Sequence, residues 1–504
     1  MRKLRVTLML VVCFVAATGG RLAAGAAVPE QIVVAVPNDI VSLDPHAHSD
    51  FLTRMRMEGA IEETLVRLGT QGEYEPGLAT AWRVVNPTTW EFTIRPGVRF
   101  HNGELLTAQT VKFTLERCLN PATKCPRRGM FAEIAEVTAP SDSTVQIVTK
   151  HPFAALPTAL TYATVVPMRA LQADPNALRK AAIGTGPMRF VEWVEGQRLV
   201  VERFDGYWGR KPLFKRVVYR PIPDDVARVA ALQAGEVDFI SNLTPEMAKV
   251  IARTPGLQVA RRGQRMIYIG LDAFGRTTKA LADVRVRQAM NYAVNKDVLI
   301  KDILEDNAFV NVGGMFPINP GFDSTLRPYP HDLARARQLL AAAGYPEGFE
   351  VTFSFVAGIE GSMKTKEVVE SVASDLGKVG IRVRLNQLET AAFWDGYFGK
   401  RHSMYVLTWG STPEAGQQLR TLLHSKARGL YYNNPKADEL IDSYFAALDE
   451  QKRRSIGRTL HHFVHDDAPF LFLYHQYHLF GMRANFTWIE RPAEFITLNE
   501  LGWQ

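Results

Sequence analysis

The chain has 504 residues but only three cysteines, and Cys13 falls within its first two dozen positions. At most one internal disulfide can form beyond that point, and no cysteine stands in the setting of a nucleophile. The sequence has no G-x-S-x-G elbow, no H-E-x-x-H pair and no Walker-type phosphate loop, so the common serine, zinc and nucleotide signatures are missing. An excess of one charge is missing too: 59 Lys and Arg stand against 52 Asp and Glu, a formal net charge of +7. The basic residues are scattered, with short clusters only at Arg127-Arg128, Arg261-Arg262 and Lys452-Arg453-Arg454. A nucleic-acid surface would concentrate them on one face. Beyond the N-terminus no apolar run approaches the ~20 residues that a membrane-spanning helix needs. There is no internal repeat and no low-complexity segment.

What is present first is an export leader. Arg2, Lys3 and Arg5 precede an apolar run at residues 8–17, and Ala24-Gly25-Ala26 fits a small-x-small cleavage site, so residues 1–26 read as a signal peptide cut after Ala26. Lipid attachment at Cys13 is disfavoured because Val12 stands where a small residue is expected. The mature chain is then a soluble protein outside the cytoplasm. Hydrophobic residues at 46% and charged residues at 22% suit a large core.

The most informative stretch is residues 75–121. Pro76-Gly77 opens a short helical turn, and a strand begins at Ala81-Trp82-Arg83-Val84. Trp90-Glu91-Phe92-Thr93-Ile94 alternates as a half-buried strand does, and Asn86-Pro87, Pro96-Gly97 and Asn102-Gly103 mark turns. Thr107 stands at the N-cap position of a helix carrying Val111, Leu115 and Cys118. This order of elements, and the run PGLATAW…TWEFTIRPGVRFHNGELLTAQTV, resembles the extracellular solute-binding proteins of family 5, the receptors of ABC importers for peptides, opines, nickel and related solutes. Gln109-Thr110 replaces that family's Glu-Asp pair after the cap, which removes a favourable contact with the helix dipole. Further motifs resemble the family in the same order: Ser42-Leu43-Asp44-Pro45-His46, Gly184-Thr185-Gly186-Pro187, residues 231–239 (ALQAGEVDF) and residues 283–293 (DVRVRQAMNYA).

The resemblance implies an α/β fold: a two-lobed periplasmic-binding-protein architecture of type II, cluster C, with an extra α+β domain inserted in the first lobe. On that basis lobe I comprises residues 27–45, 184–270 and 475–504, the inserted domain II residues 46–183, and lobe III residues 271–474. Residues 31–36 read as a strand covered on both faces, residues 51–68 as a helix, and residues 283–304 as one long helix. In lobe III, strands at 349–355, 381–385 and 404–409 alternate with helices at 333–343, 366–379, 436–448 and 451–464, the pattern of parallel strands between helices. The chain crosses between lobes more than once, so the connection is a multi-strand hinge able to close over a ligand.

Several local features invite sharper readings. Gly184-Thr185-Gly186-Pro187 lacks the G-x-G-x-x-G spacing and precedes a strand, so re-entry into the first lobe explains it better than nucleotide binding. His461 and His465 share a helix face at metal-ligand spacing, yet no third ligand is evident and a surface histidine cluster is the preferred reading. Asp44 reads as a turn cap and His101 as a structural hydrogen-bonding residue. Cys118 and Cys125 can form a short-loop disulfide in an oxidising compartment or remain two thiols.

Ligands of open α/β sheets sit beyond the carboxyl ends of the strands. That directs attention to the end of residues 404–409 and the loop Trp409, Gly410, Ser411, Thr412, Pro413, Glu414. In the family's peptide receptors this loop is similar to GWxGDxxDP and its acidic residue pairs with the ligand ammonium. Here Glu414 is the only nearby carboxylate. The arginine that the family's dipeptide receptors hold ahead of the 366–379 helix is also absent. Candidate wall residues are therefore Trp409, Gly410, Ser411, Thr412 and Glu414, with Met315, Phe316, Phe393, Trp394, Arg127, Arg128 and Phe131. No cofactor, metal ligand set or catalytic residue is expected. The resemblance implies a monomeric periplasmic receptor for a peptide or peptide-like polar solute, working with ABC permease subunits and not with nucleic acid. A receptor for a metal chelate, opine or oligosaccharide is the alternative, and a secreted metal-dependent hydrolase a more distant one.

Overall fold

The computed structural model describes residues 27–504 apart from 49–52, 54–56, 58, 70–71, 360–361, 412–413, 428–430 and 490–497. The leader and its cleavage at Ala26 thus lie outside the described residues, as do Thr412 and much of the helix expected over residues 51–68. The end of that segment differs from expectation: residues 59–60 form a turn, and Val66–Leu68 is a strand paired antiparallel with Tyr74–Pro76. The short helical turn expected to open at Pro76-Gly77 does not form: Tyr74–Pro76 is a strand, residues 77–78 bend, and the next strand begins at Ala79.

The first strand, β1 (Gln31–Val36), is a β-branched run, and alternate side chains enter two different apolar clusters, so it is covered on both faces. β2 (Ala79–Asn86) and β3 (Thr89–Ile94) form a hairpin that leads into α1 (Ala108–Leu119). The cap of α1 is reciprocal: the Thr107 hydroxyl accepts from the Thr110 N–H and the Thr110 hydroxyl from the Thr107 N–H, each at 3.4 Å. Thr110 therefore does the capping-box work that Glu or Gln does elsewhere. Cys118, in the last turn of α1, is disulfide-bonded to Cys125, with Cα atoms 5.3 Å apart. Closing so short a loop contributes about 2–3 kcal/mol by the chain-entropy argument. Cys118→Ser should lower the unfolding free energy by that amount, and urea titration of the wild type with and without a reductant should show the same difference. β4 (Ile134–Ser141) and β5 (Thr144–Thr149) complete a four-stranded antiparallel sheet in the order β2-β3-β5-β4.

All other long strands belong to one 11-stranded sheet. Its first half contains β6 (Met188–Val194), β7 (Arg198–Arg203), β8 (Arg216–Pro221) and, after α2 (Asp225–Gln233), the short β9 (Phe239–Ile240). Entry into β6 depends on the glycines before it: a Cβ on Gly184 would lie 1.9 Å from the Ile61 carbonyl oxygen. His101 ties the same bend, its Nδ1 accepting from the Gly184 N–H at 3.3 Å and its Nε2 donating to the Gly186 carbonyl at 3.0 Å. After α3 (Pro245–Ala252) comes β10 (Leu257–Leu271), 15 residues long, which carries the chain into the second half.

There α4 (Val284–Ala293) is shorter than the single helix expected over 283–304. Val294 and Asn295 are extended, and the Asn295 side chain accepts from the Val298 N–H to start a separate turn, while its own N–H donates to Asp375 at 2.9 Å. α5 (Leu333–Ala342), β11 (Glu350–Phe355), α6 (Thr365–Gly377), β12 (Arg382–Gln387), α7 (Thr390–Phe398), β13 (Met404–Gly410), α8 (Ala415–Leu423), α9 (Pro435–Ala446) and α10 (Glu450–Asp467) follow. The 14-residue β14 (Phe470–Arg483) then returns to the first half. The strand order is β12-β11-β13-β10-β14-β9-β1-β8-β7-β6, and the eleventh strand, Ala308–Val310, pairs antiparallel with β14 off this path. β11 runs parallel to β12 and β13, as expected, but β13 is antiparallel to β10, because β10 enters from the opposite half. Among the described residues no helix is long and apolar enough to cross a membrane.

Candidate solute-binding cleft

The register of β10 and β14 locates the cleft. Their pairing runs from Leu257↔Arg483 to Gly270↔Phe470, so both strands span both halves of the molecule and form the hinge. β9 is antiparallel to β14 and parallel to β1, and Ile240 lies opposite Gly481, so the carboxyl ends of β1, β8 and β9 point toward the middle of β14. From the other half, β13 pairs Met404↔Leu271 at its start and Gly410↔Arg265 at its end, so its carboxyl end, with those of β11 and β12, points to the same middle. The register shifts between Arg262 and Gln264 at this point. Two sets of strand ends therefore face one another across the hinge, the geometry in which open α/β sheets bind ligands.

Each rim is held by named side chains. On the first half, the fully buried Arg228 of α2 donates to the carbonyls of Ile222 (2.7 Å), Pro223 (2.9 Å) and Asn242 (3.3 Å) and pairs with Asp225. It thereby fixes the segments that follow β8 and β9. On the other half, Trp409, Gly410 and Ser411 end β13 part-exposed, and the Ser411 N–H donates to the Gln264 carbonyl at 2.9 Å. Arg265, nearly buried, donates to the Thr408 hydroxyl at 3.1 Å. Met363 and Lys364 at the head of α6 reach across the hinge, Met363 N–H to Gln476 (3.2 Å) and Lys364 to Glu246 of α3 (2.7 Å).

The other sequence candidates are dispersed. The side chains of Met315, Phe316, Phe393 and Phe131 are fully buried in the core, Phe316 against His475 and Phe393 stacked on His402. Trp394 and Arg128 are exposed, and Arg127 is buried, donating to the Tyr162 carbonyl at 3.4 Å. Glu414 is also fully buried: Tyr74 donates to it at 3.2 Å, Arg453 lies at 3.8 Å, and burial, opposed by Arg453, pushes its carboxyl up. Sequence reasoning missed Arg228 and Arg265. Arg228 had a visible signal, an arginine one turn into a helix whose cap Asp224 follows Ile222-Pro223; Arg265 had none, since its place depends on pairing with β13.

The histidines of α10 correct one expectation. His461 is not at the surface: it is fully buried, accepting from the Asp323 N–H at 3.1 Å through Nδ1 and donating to the Val312 carbonyl through Nε2. Burial drives its pKa down to about 4. His462 bonds Asp323, and His465 bonds Asp466 while stacking on Tyr329, so the three rings serve separate partners. Among the described residues no group of three His, Cys, Asp or Glu is placed to hold a metal ion. Asp44 caps the turn as expected, accepting from the His46 N–H, and also forms a two-pronged pair with Arg117 of α1 at 3.1 and 2.6 Å.

The profile of the bacterial extracellular solute-binding proteins, family 5 (middle region), matches residues 73–429. The chain belongs to this family. Among curated relatives, the glutathione-binding protein GsiB of Pectobacterium atrosepticum is 29% identical over 461 residues, 88% of each chain. Among solved structures, the periplasmic binding protein DppA of Helicobacter pylori, in complex with the peptide STSA, superposes with a TM-score of 0.80 at 24% identity, covering 94% of this chain and 98% of that one. A dipeptide-binding protein from a Pseudoalteromonas species, in complex with Met-Leu, gives 0.79 at 20% identity, covering 94% and 100%. This family-5 member thus shares the two-lobed periplasmic-binding-protein fold and is a solute-binding protein by family. Binding by such a body needs only a differential affinity between open and closed lobes, and no bond-making residue.

Proposed function

We propose that this receptor captures a peptide or peptide-like polar solute at the carboxyl end of β13 and delivers it to the permease of an ABC importer. The observation that carries the reading is the part-exposed Trp409-Gly410-Ser411 edge set against facing strand ends at a two-strand hinge. Such an edge offers main-chain groups to an extended peptide and an aromatic wall to its side chain. The peptide and glutathione ligands named for the relatives agree with it. Export through residues 1–26, a monomeric state and the division into lobe I, inserted domain II and lobe III at residues 45/46, 183/184, 270/271 and 474/475 belong to the same proposal.

Native mass spectrometry of the exported protein, followed by denaturation and identification of what is released, tests it. Released peptides or glutathione support the proposal; a released metal chelate, opine or sugar sinks it. With a ligand in hand, Trp409→Ala should weaken binding ~30-fold, the loss of a central aromatic contact worth about 2 kcal/mol. Isothermal titration would show this, and an unchanged Kd would remove Trp409 from the wall.

A further inference from the structure

The main sheet has an open edge at the start of β10. β14 lies against β10 from Leu257 to Gly270, but on the other side β13 covers it only from Arg265 to Leu271. Residues 258–262 therefore have one strand neighbour among the described residues. The direction of their peptide groups follows from β14. Leu479 accepts from the Leu243 N–H at 3.1 Å and Arg483 donates to the Asp238 carbonyl at 3.2 Å, so the odd-numbered residues at that end of β14 turn toward β9. Opposed residues of an antiparallel pair turn their groups either toward each other or both away. Val259 and Arg261, opposite Gly481 and Leu479, thus direct theirs out of the sheet.

A cavity of about 770 Å³ runs along this edge. Residues 258–262 all line it, and because side chains alternate between faces, a consecutive run meets one cavity only along the strand's edge. Pro245, Ala248, Lys249 and Ala252 wall it from α3, at the spacing of a single helix face, and Phe486–Trp488 line it too. The two sides differ. Val259 packs with Ala248 and Ile251 of α3 whereas Ala260 packs with Phe486, so Arg261 shares the α3 side and Arg262 the side of Trp488. The lining side chains carry three cations, Lys249, Arg261 and Arg262, against one carboxylate, Glu305. Lys249 pairs with Glu305 at 2.9 Å. Arg262 donates to the carbonyls of Arg261 (2.7 Å) and Trp488 (3.0 Å), its guanidinium 5.3 Å from the Trp488 ring centroid. Arg261 is exposed and forms no ion pair among the described residues. A charge alone suffices to guard an edge strand against aggregation. Here the charge stands between a helix face and an indole, beside outward peptide groups.

We propose that this groove is a second binding site, separate from the cleft at β13, for an extended acidic peptide that adds to β10 as a strand. The main chain of the peptide pairs with the outward groups of Val259 and Arg261. Its side chains alternate like those of any strand, so every second one turns to the α3 side, where Arg261 takes a carboxylate. The others turn to Trp488 and are apolar. The chemistry expected of the ligand is therefore an alternation of acidic and apolar residues. It does not depend on what the cleft at β13 binds.

The probe is a short peptide with blocked ends, alternating glutamate and valine and labelled with fluorescein, titrated into the exported protein and followed by anisotropy. It should bind, and the same peptide with lysine in place of glutamate should bind about tenfold more weakly or worse. Arg261→Glu, a change at an exposed side chain, should weaken the acidic probe by about tenfold, and added salt should weaken it in the wild type. The N-methylated form of the probe cannot donate to the β10 edge and should not bind, a result that needs no variant to fold. A probe held in the cleft at β13 would instead lose affinity in Trp409→Ala and keep it in Arg261→Glu, which overturns the groove as its site. Equal binding of the acidic and basic peptides, undiminished binding of the N-methylated form, or no binding to the wild type would each overturn it as well.

Discussion

Arg228→Met should cost roughly 3–5 kcal/mol of folding stability, the loss seen when one partner of a buried charged network is removed. Methionine keeps most of the aliphatic stem, so packing changes little and the effect isolates the guanidinium. In the wild type that group is fully buried and satisfies three carbonyls, those of Ile222, Pro223 and Asn242, as well as the Asp225 carboxylate. Without it three acceptors are left in a dry site, each costing about 1–3 kcal/mol unless water enters. Residues 222–223 and 242 follow β8 and β9 directly, and Asn242 sits in the left-handed region at φ 62°. The first-half rim of the cleft should therefore loosen as well, and solute affinity should fall along with stability. Urea unfolding gives the first quantity and calorimetric titration the second. A loss under about 1 kcal/mol would mean that water replaces the guanidinium without strain, and Arg228 would then have no part in shaping the rim.

The contrast between Arg228 and Glu414 shows what a sequence can disclose about such a molecule. Scaffold features were legible where the physics is local. The cap at Thr107, the alternation of residues 90–94 and the β-branched run of β1 each need only neighbours a few residues away. Arg228 reaches three of its four partners within six residues. Glu414 was legible as a carboxylate near a binding loop, but its surroundings depend on Tyr74, 340 positions earlier in the chain. No periodicity or spacing encodes that contact. The break after α4 was readable in principle, since Asn295-Lys296-Asp297 is a respectable helix start, yet the motif DVRVRQAMNYA drew the helix onward. The burial of His461 was hidden because α10 is polar along most of its length, and only the segment at Val312 and Asp323 covers that one position. The antiparallel join of β13 to β10 followed from the hinge itself: a strand that spans both halves must arrive in the second with its direction already set.

Acid should destabilise the folded chain well before its carboxylates titrate. His46, His461 and His475 are buried, and burial holds their pKa values down at about 4, 4 and 3 respectively. In the unfolded chain each would titrate near ~6.5. Below that pH the unfolded state binds protons that the native state refuses, so the contribution of each histidine is complete above about 6.5 and is lost as pH falls toward its folded value. At ~1.36 kcal/mol per pH unit, each histidine removes on the order of 2 kcal/mol between neutrality and pH ~5. His461 gives the physical reason: both ring nitrogens are engaged, Nδ1 as an acceptor from Asp323, so a second proton has no place to go without breaking that bond. Three buried carboxyls, Glu63, Glu414 and Asp238, act in the opposite sense. Glu63, accepting from Tyr207, Trp208 and Thr185, Glu414 and Asp238 all have pKa values raised by burial, so the folded state gains protons earlier than the unfolded one and is relatively favoured on acidification. Their effect sets in as pH falls toward their raised folded values, above the ordinary carboxylate range, so it offsets part of the histidine loss. Urea midpoints at pH 7.5 and 5 measure the difference directly. His461→Gln should flatten the profile by about one histidine's share whatever it does to the absolute stability. An unchanged pH profile in His461→Gln would show that the buried ring accepts a proton in place, and its neutral assignment would fall.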